Sequence, residues 1–168
     1  MSIKACSDPP PFLRDECFQG KVVEGLSYTH VFAALEWLSS KTSLIGSGGV
    51  SVFLGFVKGV VDNARVIKLK YTSYEPYASK TLDNIAKSYS NNPNIYGIII
   101  LHTSGDARPG SPTLFVAISG KTRKDSLEVT REVVERVKKE PPIFKLEVRE
   151  DGEYWILGDG RRVKRLTG

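Results

Sequence analysis

The sequence predicts an α+β fold in which helices cover one face of a mostly antiparallel sheet, and three observations carry that prediction. The 168 residues are 40% hydrophobic and 26% charged, enough to bury one core. Short β-branched runs recur along the chain, and single amphipathic helical stretches alternate with them.

The first twenty residues hold Pro9, Pro10 and Pro11 and show no period, so they are expected to form an irregular arm. Residues 21–158 are expected to form the folded domain and 159–168 a mobile basic tail. Over 28–39, Val31, Phe32, Leu35 and Leu38 recur at three and four, which predicts a helix with Thr29 as its cap. The glycine-rich stretch 43–49 ends it. Residues 50–57 are β-branched and aromatic, and 65–71 mix apolar and basic side chains; the two are expected to pair as a hairpin across a turn at 60–64.

Pro76 opens a second helix, which runs to Tyr89 with Ala78, Leu82, Ile85 and Ala86 on one face. The apolar runs 95–102 and 113–119 read as buried strands. A third helix is expected over 126–138, with Asp125 as its cap and Glu128 completing the box. Pro141 and Pro142 stop it. Residues 144–149 alternate as a strand, and 153–157 pair with it across Asp151 and Gly152.

The net charge of +5 suits anionic ligands or an acidic partner. Charges of both signs alternate and no strand carries an aromatic RNA-binding pattern, so a small basic RNA-binding domain, or another non-catalytic binding module, ranks second to an enzyme. Cys6 and Cys17 lack metal-ligand spacing and leave a disulfide open. No run is long enough for a membrane helix, and the arm lacks a signal-peptide core, so a cytoplasmic protein without a metal site is expected.

Lys138 sits in the last turn of the third helix at the edge of its apolar face. Both a desolvated amine and a lysine with a buried stem and a solvated head fit that position. Lys145 lies seven residues on, from the polar face of its strand, beyond a stiff Glu-Pro-Pro connection. The basic turn Gly120-Lys121-Thr122-Arg123-Lys124 follows a strand and precedes a helix, where it reads either as an anion cradle or as a solvated turn. His102 closes an apolar strand and reads as a hydrogen-bonded structural histidine.

Four segments together resemble the large subunit of molybdopterin synthase: GVSVFLGFVK at 49–58, YEP at 74–76, LHTSGDARPG at 101–110, and 114–147 with Lys138 and Lys145 around Glu-Pro-Pro-Ile-Phe. The resemblance spans roughly 20–158. It implies an α/β hammerhead-type fold and a homodimer of large subunits. Each would bind a small ubiquitin-like sulfur carrier, giving a heterotetramer. The carrier's C-terminal Gly-Gly thiocarboxylate would sulfurate cyclic pyranopterin monophosphate twice to make the molybdopterin dithiolene, with no cofactor in the step.

Carried onto this chain, the resemblance makes Lys138 the amine that meets the thiocarboxylate and Lys145 its partner. Arg123, Lys58 and Lys124 become holders of the substrate phosphate, Thr122 stands beside them, and Phe53 matches a pocket aromatic that also suits the core. Two positions depart from the family pattern. Lys58 stands where an arginine is usual and Thr122 where a histidine is usual.

Overall fold

A computed structural model describes residues 8–166, and the proposed partner of Cys17, Cys6, lies outside the described residues. The elements run β1 (Phe18–Glu24), α1 (Tyr28–Ser43), β2 (Gly49–Phe56), β3 (Val60–Val61), β4 (Ala64–Ser73), α2 (Tyr77–Lys87), β5 (Ile95–Ala107), β6 (Pro112–Gly120), α3 (Arg123–Lys139), β7 (Ile143–Arg149), β8 (Gly152–Ile156) and β9 (Arg162–Lys164). The sheet order is β2-β6-β5-β4-β7-β8-β9, with β1 on β5 and β3 on β4. All pairs are antiparallel except β1 with β5.

Helices cover both faces of the sheet, not one. β5 and β6 are apolar on both sides, so successive side chains demand cover in opposite directions. Ile98, Ile100, Val116 and Ile118 pack with Leu82 and Ile85 of α2 and Val133 and Val137 of α3. Ile99, Leu101, Phe115 and Ala117 pack with Val31, Ala34, Trp37 and Leu38 of α1. Each fully buried aliphatic side chain contributes roughly 1.5–3 kcal/mol.

The expected pairing of 50–57 with 65–71 does not form. β2 is an edge strand on β6, from Gly49 opposite Gly120 to Phe56 opposite Pro112. β4 instead turns back on the two-residue β3 through Asp62 and Asn63, both at positive φ. It then pairs with the far end of β5 and with β7. The thirteen-residue β5 thus ties together two halves of the sheet, and a third core of Val57, Val61, Val66, Leu69, Tyr71 and Ala107 fills the second half.

Both caps differ from expectation. Ser27, not Thr29, caps α1, and His30 Nδ1 accepts from the Ser27 amide at 3.1 Å and lies 2.8 Å from its hydroxyl. Thr122 caps α3, accepting from the Asp125 amide at 3.3 Å and donating its hydroxyl to the Asp125 carboxylate. With the cap at Thr122, the helix starts a turn earlier than a cap at Asp125 allows.

Besides the two-residue β3, which falls in the expected turn, two strands went unpredicted. β1 begins inside the expected arm, at Phe18, and runs past its end beside β5 with Phe18 opposite Ile98, and β9 folds the basic tail back on β8 with Arg162 opposite Ile156. β1 also abuts α2: a Cβ on Gly20 would meet the Leu82 carbonyl carbon and oxygen at 2.6 Å. Backbone cannot yield as a flexible side chain does. Gly20→Ala is therefore expected to destabilise the fold by about 1–3 kcal/mol, read as a lower urea midpoint at unchanged slope.

Candidate functional site

The seam between the α3-side core and the third core opens into a cavity of about 310 Å3. β2 contributes Phe53, half-buried, and the chain just beyond β2 contributes Lys58. The last turn of α3 brings Lys138, whose Nζ lies 5.8 Å from the centre of the Phe53 ring. β7 brings Lys145, with Nζ 5.7 Å from the centre of the Tyr71 ring of β4. Each amine is stacked near an aromatic face, which favours a cation electrostatically.

Lys145 was expected on a polar outer face, yet that face of β7 points inward. Glu147, which shares it, is 3% exposed, while Phe144, on the opposite face, is 56% exposed. Charge on this strand signals internal ion pairs. Arg162 Nε and Nη2 donate to Glu147 at 2.9 and 3.3 Å, and Arg149, also buried, lies 3.7 Å from the same carboxylate. Arg149 donates in turn to Asp151 at 2.8 Å.

Among the described residues lining the cavity, four cations (Lys58, Lys138, Lys145 and Arg162) face one carboxylate, Glu147, which is already engaged by arginines. The cavity is built to receive an anion. Burial pushes the Lys145 amine below its ordinary value, and the charge of Lys138 pushes the same way. Below its lowered folded value the cost of holding this cation in the fold is fully present. Between its lowered folded value and its ordinary value the unfolded chain holds a proton that the folded chain has released, so stability rises with pH across that window. Lys145→Met is accordingly expected to raise Tm below that window, with the gain shrinking as pH rises through it, while activity falls.

A second concavity of about 530 Å3 meets the first at Lys138, Lys145, Ile143 and Ile156 and runs outward past Leu157, Gly158 and Gly160. The two amines are thus reached from two sides. The basic turn lies elsewhere. Thr122 and Arg123 border a shallow depression with Gly48, Ser51 and Gly120, and Lys124 is exposed on the first turn of α3. Fifteen residues of helix separate Arg123 from Lys138, about 22 Å at helical rise, so one chain does not bring Thr122, Arg123 or Lys124 to the cavity.

Sequence reasoning missed Tyr71, Glu147 and Arg162 in this lining. Tyr71 sat in a strand read as half-exposed and Arg162 in a segment read as tail. His102, assigned to structure, also borders the cavity. Among the described residues no three His, Cys, Asp or Glu side chains gather as metal ligands, and no helix is long and apolar enough to cross a membrane.

A family model described as MoaE protein matches residues 30–140. The molybdopterin synthase catalytic subunit of Pyrococcus abyssi is 34% identical over 113 residues, covering 67% of this chain and 76% of that protein. The catalytic subunit of Bacillus subtilis is 32% identical over 110 residues, covering 66% and 70%. Among solved structures, molybdopterin synthase from Staphylococcus aureus aligns with a TM-score of 0.69 at 27% identity, covering 84% of this chain and 98% of that one. Subunits 1 and 2 of the Helicobacter pylori molybdopterin-converting factor, solved as a complex, include a chain that aligns at 0.64 and 20% identity, a likeness of fold.

Proposed function

The chain belongs to the MoaE family of molybdopterin synthase catalytic subunits, and from that premise we propose that its cationic cavity is where sulfur passes from a carrier's thiocarboxylate to cyclic pyranopterin monophosphate. The observation that carries the reading is the shared position of Lys138 and Lys145, which border both the cavity and the groove that leads to it. The groove passes the small residues Gly158 and Gly160, and a narrow Gly-Gly terminus suits such a passage. A donor entering there meets the two amines from one side while the pterin meets them from the other.

Lys138 is assigned to the thiocarboxylate, orienting the sulfur and balancing its charge. Lys145 is its partner in proton transfer, because a cation that burial disfavours gives up its proton more readily. Lys58 holds the substrate phosphate as a point charge, without the bidentate fork of an arginine. Phe53 forms a wall against the pterin.

Thr122, Arg123 and Lys124 join the same reaction only if a second copy presents its α3 N-terminus to the cavity. A homodimer with one small subunit on each large one, a heterotetramer, provides that arrangement. Incubating the chain with thiocarboxylated carrier and substrate tests the donor side. Mass spectrometry should show the carrier's terminal sulfur replaced by oxygen in a substrate-dependent manner; a carrier that keeps its sulfur would refute the assignment.

A further inference from the structure

His102 sits where the apolar run of β5 ends, on the same strand face as Ile98 and Ile100, opposite Leu114 of β6 and at the border of the cavity. Its Nδ1 lies 2.8 Å from the Thr103 carbonyl oxygen. A carbonyl only accepts, so Nδ1 carries the proton and Nε2 is left with a lone pair. The Tyr71 ring fixes the imidazole edge-on, with centroids 5.3 Å apart and planes at 69°.

Nε2 has no protein hydrogen bond among the described residues, yet it is not sealed in the core. Trp37 Nε1 is the one fully buried side-chain nitrogen or oxygen among them that lacks a partner. The lone pair of His102 is therefore open to the cavity. Around it stand Lys58 beyond β2, Tyr71 on β4, Lys138 on α3, Lys145 and Glu147 on β7, and Arg162 on β9. The cations among them oppose a second proton on the ring. Burial, with a smaller contribution from Lys145, holds its pKa down at about 4, so the ring is neutral at physiological pH.

This gives the cavity two kinds of polar wall. The lysines and Arg162 offer only donors, suited to phosphate and thiocarboxylate. A reduced pterin also carries N–H donors, and these need an acceptor. Glu147 is committed to arginines. We infer that His102 is a substrate-reading residue: its Nε2 accepts a hydrogen bond from a ring or exocyclic N–H of the pterin heterocycle, orienting that ring while the lysines hold the anionic ends. The inference rests on the sulfur-transfer reading above.

The test measures substrate binding to the complex with unreactive, carboxylate-terminated carrier, for wild type, His102→Phe and His102→Gln. Loss of the acceptor in the Phe variant leaves a buried donor unpaired and is expected to weaken substrate Kd about 10- to 100-fold. Carrier affinity should be unchanged, and Gln, which restores an acceptor at similar reach, should recover most of the loss. Wild-type Kd should stay flat over the neutral pH range. A folded Phe variant with wild-type substrate Kd, or equal loss in both variants, would overturn the inference.

Should the Phe variant fail to fold, two-bond proton–nitrogen spectra of the wild-type complex decide. The expected pattern is a neutral ring protonated at Nδ1 whose Nε2 resonance moves upfield as substrate saturates; an unmoved resonance at saturation overturns the inference. Wild-type product formation reports on the sulfur-transfer reading independently. With product formed and no effect at His102, only the present inference falls.

Discussion

Lys138→Ala is expected to slow single-turnover sulfur transfer by about 10²- to 10⁴-fold, the range for losing a positioned proton-transfer or charge-stabilising group. Its place at the junction of cavity and groove makes it the amine that both reactants meet. The fold should survive, because the surrounding α3 core is made by Val129, Val133, Val134 and Val137, and not by the amine. Lys138 has its aromatic neighbour in Phe53, but the side chain lies at the helix end, so truncation removes charge with little packing. Carrier affinity should fall far less than rate. Stopped-flow mixing of preformed carrier complex with substrate separates the two, and a variant with wild-type turnover would remove Lys138 from the chemistry.

Mixed dimers give the second large effect. Arg123→Ala alone is expected to lower kcat/KM about 10- to 100-fold through the loss of a charge-assisted phosphate contact. Arg123 is a helix length from Lys138 on the same chain, so on the proposed dimer reading the site is completed by the arginine of a second copy. Unfolding and refolding Lys138→Ala together with Arg123→Ala then generates dimers in which one of two sites carries both defects and the other carries none. Random pairing restores about a quarter of wild-type activity. If both residues instead served a site within one chain, every site in the mixture would keep one defect, and no recovery would be seen.

The elements that the sequence disclosed are those whose local signals and burial agree. α3 combined an apolar stripe with prolines beyond its end, and its stripe of valines does pack against β6. β5 and β6 were apolar throughout. Their two-sided burial, however, follows from the same lack of alternation, which is why helices occupy both faces. β1 escaped notice because Phe18–Glu24 shows no clean alternation and owes its place to β5 and to the close approach of Gly20 to α2.

Pairing was less legible than the strands themselves. β2 and β4 are near in sequence, but β3 takes the hairpin and leaves β2 to β6. At the site, Lys138 and Lys145 were visible as a spacing, and the structure brings them to one cavity with Lys58 and Phe53. Arg123 was grouped with them although a straight helix keeps its two ends apart. Glu147 was hidden because a charged side chain on an alternating strand ordinarily marks solvent, and Arg162 because its segment read as tail, whereas here the two satisfy one another's charge.

The most direct test of sulfur transfer at this cavity is the product itself. The purified chain is mixed with thiocarboxylated carrier and cyclic pyranopterin monophosphate, and the dithiolene-bearing pterin is quantified against the carrier consumed. Formation of molybdopterin with two thiocarboxylates spent per molecule is the predicted result, and recovery of unchanged substrate from a folded, carrier-bound complex would contradict it.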